Sequence, residues 1–172
     1  MDASDRPRGE QGDETDRAWM AQAIALARSA LECGEVPVGA IVVRDGRVIG
    51  AVANRTVTDQ DATAHAETLA LRAASRALGS WRLGGCTMYV TLEPCAMCAG
   101  ALVLARVDRV CFGAWDGKAG MAGSVGDLLR HPRLNHRPEV RGGVEEKVCG
   151  ELLSEFFRVR RAESVDTIPV SG

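Results

Sequence analysis

The sequence predicts a three-layer α/β/α protein in which a mixed central sheet is covered by helices on both faces. Helical patterns alternate with short β-rich runs after an opening hairpin, in the order α-β-β-α-β-α-β-α. That alternation is typical of a sheet covered by helices. The chain has 172 residues, and no repeat or linker divides it. We therefore expect a single domain with one main core.

The first helix is predicted over residues 16–33. Its apolar residues recur at the spacing of one buried helical stripe, at Met20, Ile24, Ala27 and Leu31. Gly34 follows, in the place where a glycine commonly ends a helix. The residues before this helix are polar and acidic, which indicates a disordered tail over residues 1–16. The folded domain is then expected over 17–162, with a polar C-terminal tail over 163–172.

The remaining elements are predicted from short patterns. Two β-rich runs flank Asp45-Gly46, a strong hairpin signal. A second helix is expected over residues 63–78, followed by the strand GCTMYVTLE and a third helix that Pro94 opens. DRVCFGA is a further strand, residues 115–141 are mostly loop, and an amphipathic helix covers 144–161.

Composition excludes several classes of protein. The longest apolar runs are shorter than the roughly 20 residues that a membrane-spanning helix needs, so we expect no membrane partner. No secretory signal is visible, and six cysteines are too few for a disulfide scaffold, which favours the reducing cytoplasm. The net charge of −2 decides little about nucleic acid, because residues 1–17 carry −3 and leave +1 for the remainder.

Two short segments carry the ligands expected of a metal site. His65 lies in HAE at residues 65–67, and Cys95 and Cys98 lie in PCAMC at residues 94–98. The two cysteines are spaced i, i+3, so a helix places both sulfurs on one face. One imidazole and two thiolates suit zinc better than hard cations, and three protein ligands leave a position for water.

Glu67 distinguishes a catalytic site from a structural one. It lies two positions after His65, within reach of a metal-bound water without being a ligand, and a carboxylate there can shuttle protons. Alone, the Cys-x-x-Cys pair could be a redox pair or half of a structural site. The serious rival is a closed structural zinc site with Cys86 or Cys111 as fourth ligand. The combined His-x-Glu and Pro-Cys-x-x-Cys pattern is that of the zinc deaminases.

Beyond the ligands, the chain resembles the bacterial tRNA-specific adenosine deaminases (TadA type) of the cytidine deaminase superfamily. The resemblance covers residues 17–162. It includes EVPVGAIVV at 35–43, TAHAE at 63–67, YVTLEPCAMCAGA at 89–101, DGKAG at 116–120, and NHR and LLSEFFRVRR in the last third. The zinc motifs alone fit several deaminases, whereas the second half resembles the tRNA enzymes.

The resemblance implies a cytidine-deaminase-like fold, a homodimer, one Zn²⁺ per chain and no organic cofactor. It implies hydrolysis of adenosine to inosine at the wobble position in the anticodon stem-loop of a tRNA, with an arginine tRNA as the expected substrate. His65, Cys95 and Cys98 would hold zinc, and Glu67 would shuttle protons. The residues expected to contact the base or the anticodon loop are Asn54, Asp116, Lys118, Phe157, Arg158 and Arg161.

Two positions depart from the usual pattern of that family. Trp115 stands where a basic residue is common, and Met121 stands where a small residue is usual. Trp115 could stack on an unpaired base or pack at a surface or dimer seam. Two alternative functions stay open: a deaminase of a free base or nucleoside, and a zinc-stabilised binding module without turnover.

Overall fold

The structure, a computed structural model, describes residues 10–165; the predicted tail segments 1–9 and 166–172 lie outside the described residues. Within residues 10–165, four helices and five strands follow one another. Their bounds, in chain order, are α1 Glu10–Glu32, β1 Gly39–Arg44, β2 Arg47–Ala53, α2 Ala66–Leu78, β3 Cys86–Leu92, α3 Ala96–Leu104, β4 Arg109–Ala114, β5 Glu139–Arg141 and α4 Glu146–Val165.

The five strands form one mixed sheet in the order β2-β1-β3-β4-β5. β1 is antiparallel to both β2 and β3, whereas β3, β4 and β5 run parallel. The β1–β2 turn is the predicted hairpin, because Asp45 and Gly46 both adopt positive φ, as a two-residue turn of this type requires. Because β3 and β4 are parallel, α3 crosses over the sheet between them.

Alternation along the strands divides the core into two layers, as predicted. Strand residues such as Val42, Met88 and Val110 pack with α2 and α3 on one face. Their neighbours Ile41, Tyr89 and Cys111 pack with α1 and α4 on the other face. The period of two residues along a strand produces this division. The predicted three-layer α/β/α fold with a mixed sheet is confirmed.

The helices α2 and α4 begin three and two residues later than predicted, and three further differences are larger. The helix α1 begins at Glu10 rather than residue 16, so residues 10–16, assigned above to a disordered tail, are helical. The helix α4 continues to Val165, through the first residues of the predicted C-terminal tail. The segment 115–141 ends in an unpredicted strand, β5, which has three residues and pairs with β4. None of the helices within residues 10–165 is both long and apolar enough to cross a bilayer.

Asp16 explains why α1 extends beyond its apolar stripe. Its buried carboxylate accepts hydrogen bonds from the Tyr89 hydroxyl at 2.8 Å and from Arg109 Nη1 at 2.7 Å. Its second oxygen accepts from Arg141 Nη1 at 2.6 Å, and Arg141 also pairs with Asp13. The start of α1 is thereby attached to β3, β4 and β5. These partners are 73 to 125 residues away in sequence, so helical periodicity carries no sign of them.

We expect Asp16→Asn to lower the free energy of unfolding by about 2 kcal/mol, because it removes the buried anion that Arg109 and Arg141 share and leaves them only their exposed partners, Glu139 and Asp13. Burial alone raises the pKa of Asp16, but hydrogen bonds from Arg109 and Tyr89 outweigh it and hold the pKa below the ordinary 3.8. The stabilisation is therefore complete above that value and is lost as pH falls through the folded-state pKa.

Urea unfolding of both proteins at neutral pH and in acid checks this expectation, since the difference between them should shrink in acid. The matched control is Asp45→Asn, which changes an exposed acid at a turn position that asparagine tolerates. Equal stability of the Asp16 and Asp45 variants at neutral pH would contradict the assigned role.

Candidate active site

Two helix N-termini meet at the expected metal cluster. His65 is the N-cap residue of α2, and Cys95 is the N-cap residue of α3, with Cys98 in the first turn of α3. Neither N-cap side chain makes a capping hydrogen bond, so both remain available to a ligand. Pro94 precedes the cap, where its missing N–H costs no helical hydrogen bond.

The donor atoms of this cluster have the spacing of a tetrahedral zinc site. His65 Nδ1 lies 3.7 Å from Cys95 Sγ and 3.5 Å from Cys98 Sγ. Zinc–sulfur and zinc–nitrogen bonds of about 2.3 and 2.1 Å at tetrahedral angles would separate the two ligand atoms by about 3.6 Å. Among residues 10–165, this is the one group of three or more metal-ligating side chains that converge. The residues present therefore fit the predicted ion.

The sulfur atoms differ in their proton affinity. Hydrogen bonds from Cys98 and His65 lower the pKa of Cys95 to about 4, so its thiolate exists at neutral pH. The adjacent Cys95 sulfur and burial both raise the pKa of the Cys98 thiol. One negative charge is thus stabilised by the protein alone, and the second thiolate requires a cation beside it.

Glu67 lies next to the cluster but does not belong to it. Its side chain is only 4% exposed, and burial raises its pKa to about 7. A carboxyl group with a pKa near neutrality can both accept and donate a proton, which is what a general acid–base needs. Its place in α2, one residue after the helix starts, brings it to the same cavity as His65.

A cavity of about 300 Å³ opens beside these residues. This volume is at the lower end of the range for small-molecule sites, and it suits a single base-sized group. Three of the residues predicted to act on substrate line it, namely Asn54, Glu67 and Asp116. Its other polar lining includes Glu35 and Glu93, to which the sequence analysis assigned no role.

Glu35 holds the amide of Asn54 in one orientation. Its carboxylate accepts from Asn54 Nδ2 at 3.1 Å and from the Thr58 backbone N–H at 2.6 Å. Asn54 Oδ1 in turn accepts from Thr56 Oγ1 at 3.3 Å. Because a carboxylate can only accept, the amide nitrogen of Asn54 must face Glu35. The signal in the sequence was an acid directly before the apolar run VPVGAIVV, four residues ahead of β1.

The other predicted contact residues lie outside the cavity lining. Lys118 is exposed on the loop after β4, where its backbone N–H donates to Asp116 Oδ1 at 2.9 Å. On α4, Phe157 and Arg161 are exposed, and Arg158 pairs with Glu155. Arg160 donates to the carbonyl of Gly34, the neighbour of the cavity residue Glu35. No α4 residue lines the cavity, but Arg160 contacts the residue that precedes Glu35 in the chain.

A closed site with Cys86 or Cys111 as fourth ligand is ruled out by position. Cys86 begins β3, and the seven residues of that strand separate it from the Cys95 end by about 20 Å. Cys111 lies in the core layer beneath α1 and α4, on the opposite face of the sheet from α3. Both are ordinary buried thiols.

Trp115 and Met121 pack against their own surroundings. The ring of Trp115 meets Phe112 edge-on at 4.7 Å and lies over Gly142 and Gly123, which leave room for it. About half of Trp115 stays exposed. Met121 is partly buried against the core layer of α2 and α3. The structure thus shows packing contacts for both side chains.

Comparison with known proteins agrees with this site. Residues 14–161 match the family of MafB19-like deaminases. The tRNA-specific adenosine deaminase of Bacillus subtilis is 51% identical over 146 residues, which are 85% of this chain and 91% of that protein. The tRNA-specific adenosine deaminase of Agrobacterium fabrum is 46% identical over 145 residues, which are 84% of this chain and 95% of that protein.

Among solved structures, one from a study of A-to-I editing by tRNA:A34 deaminases at the wobble position of transfer RNA superposes with a TM-score of 0.77. It is 46% identical in sequence, and the match covers 79% of this chain and 99% of that one. The similarity therefore extends over nearly all of the solved chain.

Proposed function

Because the chain belongs to the tRNA-specific adenosine deaminase family, we propose that it converts adenosine to inosine at the wobble position of a tRNA anticodon. The observation that carries the proposal is the buried Glu67 beside a three-ligand cluster in a base-sized cavity. A structural metal site has no use for a buried acid beside its ligands. An arginine tRNA is the proposed substrate.

We propose that His65, Cys95 and Cys98 hold one Zn²⁺ per chain, which supplies Lewis-acid activation of water when bound. The chain's own residues then direct the reaction. Glu67 accepts a proton from the attacking water and delivers it to N1 of adenine, so that C6 becomes electrophilic. After the oxygen has bonded to C6, Glu67 takes the remaining proton from that oxygen and delivers it to the amino group, which leaves as ammonia while C6 becomes a carbonyl. Asn54, fixed by Glu35, is proposed to hold the base.

The substrate base must leave its stack to reach Glu67, since the cavity admits a single base-sized group. Leaving the stack costs little in a single-stranded anticodon loop and far more within a duplex. Asp116 on the loop after β4, together with the end of α4, is proposed to contact the surrounding nucleotides. The near-zero net charge of the chain after residue 17 is compatible with RNA binding, because basic side chains can cluster on one part of the surface.

The test incubates the full chain, loaded with zinc, with an arginine tRNA transcript that carries adenosine at the wobble position. Inosine, read as an A-to-G change on sequencing, is expected at that position alone. Turnover of guanine, cytosine or their nucleosides without inosine in tRNA would favour the small-molecule alternative. Stoichiometric zinc without deamination of any of these would favour the binding module.

We expect the affinity for tRNA to fall steeply as the salt concentration rises, because each phosphate that the protein neutralises releases counterions. Arg161→Gln should reduce the slope of the logarithm of the binding constant against the logarithm of the salt concentration by about 0.7, the value for one phosphate of single-stranded RNA. Filter binding across a salt series measures this slope. The control is Arg47→Gln, at the hairpin end of β2, away from the cavity at the Asn54 end. A slope that Arg161→Gln leaves unchanged would contradict the contact.

We also propose that two chains form a homodimer, and that the enzyme works in the cytoplasm. A wide apolar groove between α2 and α3 supports self-association, since Trp81 and Leu104 are 62% and 74% exposed there. Light scattering on the purified chain gives the mass that checks it.

A further inference from the structure

The loop after β4, residues 115–124, forms one wall of the cavity. Asp116 and Ala119 contribute to the lining. The loop contains no helix or strand apart from one isolated bridge at Ala122, so no regular ladder holds its shape. Other interactions must therefore offset the conformational entropy that is lost when the loop is ordered.

The carboxylate of Glu93 is the acceptor at the centre of this loop. One oxygen accepts the Asp116 N–H at 2.8 Å, and the other accepts the N–H groups of Ala122 and Ser124, each at 3.0 Å. The Ser124 hydroxyl donates as well. Glu93 is 1% exposed, so its carboxylate depends on these donors rather than on water. Four donors from both ends of the loop thus converge on one side chain.

The backbone beside Glu93 adds to this attachment. Its own N–H donates to the Ala114 carbonyl at 2.8 Å, and the Pro94 carbonyl accepts from Met121 N–H at 2.8 Å. Gly120 passes so close that a Cβ there would overlap the Glu93 carboxylate. Since Cys95 follows two residues later, one short segment carries a proposed metal ligand and holds the loop that faces it.

We infer that Glu93 is a positioning residue of the deaminase site: it holds residues 115–124 as a preformed wall against which the nucleotide binds. This inference rests on the proposed function and adds to it a residue that acts through the loop rather than on the metal. Without the carboxylate, the loop samples other conformations. The apparent affinity for tRNA then falls in proportion to the fraction of molecules whose loop is in the binding-competent conformation.

The chain offers a direct probe of this loop, because it contains two lysines, Lys118 within the loop and Lys147 on α4. A lysine-specific protease therefore reports on the loop at one bond and on α4 at the other. In Glu93→Gln, the amide presents an NH₂ to N–H donors and loses acceptor capacity. We expect cleavage after Lys118 to accelerate about 10- to 100-fold, as the loss of charge-assisted bonds predicts, with cleavage after Lys147 unchanged.

The kinetic expectation separates positioning from a merely structural role. With zinc at one per chain, Glu93→Gln should raise KM for tRNA about tenfold and change kcat much less, because bound tRNA reorders the loop. Ser124→Ala removes a single donor from an exposed residue, so we expect it to fold even if Glu93→Gln does not. It should raise both the rate of cleavage after Lys118 and the KM for tRNA, each by a smaller factor.

The matched control is Asp16→Asn, another buried carboxylate whose partners lie on β3, β4 and β5. It should leave Lys118 cleavage and KM at the wild-type values. Wild-type cleavage after Lys118 in both Glu93→Gln and Ser124→Ala would overturn the inference, and so would faster cleavage with unchanged KM. If the wild-type chain forms no inosine, the proposed function fails, while the protease readout still decides whether Glu93 holds the loop.

Discussion

Glu67→Ala is expected to fold and to bind zinc as the wild type does, yet to lose at least about 10²- to 10⁴-fold in kcat, the range for a positioned general acid–base. The reason is that Glu67 lies beside the three-ligand cluster without belonging to it. Removing it leaves the donor atoms of His65, Cys95 and Cys98 in place. Single-turnover formation of inosine, together with metal content by mass spectrometry, measures the two effects separately.

The matched control for this prediction is Glu67→Gln. Glutamine keeps the size of the side chain but cannot take up and release a proton near neutral pH. We expect it to be as inactive as the alanine variant while retaining zinc. Deamination by either variant at the wild-type rate would show that another group moves the proton.

Cys98→Ala is expected to abolish both metal binding and turnover. Cys98 is fully buried at the point where α3 begins, and its sulfur lies 3.5 Å from His65 Nδ1. Two ligands then remain where a catalytic zinc site needs three. The wild-type protein should also gain about 4 kcal/mol of stability at a free zinc concentration of 1,000 times Kd, and the variant should gain none.

Thermal unfolding with and without a chelator checks the change in stability. Cys111→Ala is the matched control, because this thiol is equally buried but lies in the core layer beneath α1 and α4. It should lose some packing stability and keep its zinc. A chelator effect on Cys98→Ala as large as on the wild type would contradict the assigned ligand.

The order of the elements and the metal cluster could be predicted from the chain because their causes are local. The hairpin follows from two adjacent residues, Asp45 and Gly46, which favour positive φ. The i, i+3 spacing places Cys95 and Cys98 on one face of a helix. His65 was assigned to the same ion by the ligand types and the resemblance, and the structure brings its ring to the sulfur atoms.

Other features could not be predicted because they depend on residues that are far apart in the sequence. The early start of α1 depends on the ion pairs of Asp16 with Arg109 and Arg141. The strand β5 forms because its three residues pair with β4 at the edge of the sheet. Glu93 stood in the quoted motif YVTLEPC, but only folding brings the loop donors to its carboxylate. Spacing along one helix or turn is set by backbone geometry, whereas a buried acid is stable only where folding supplies its donors.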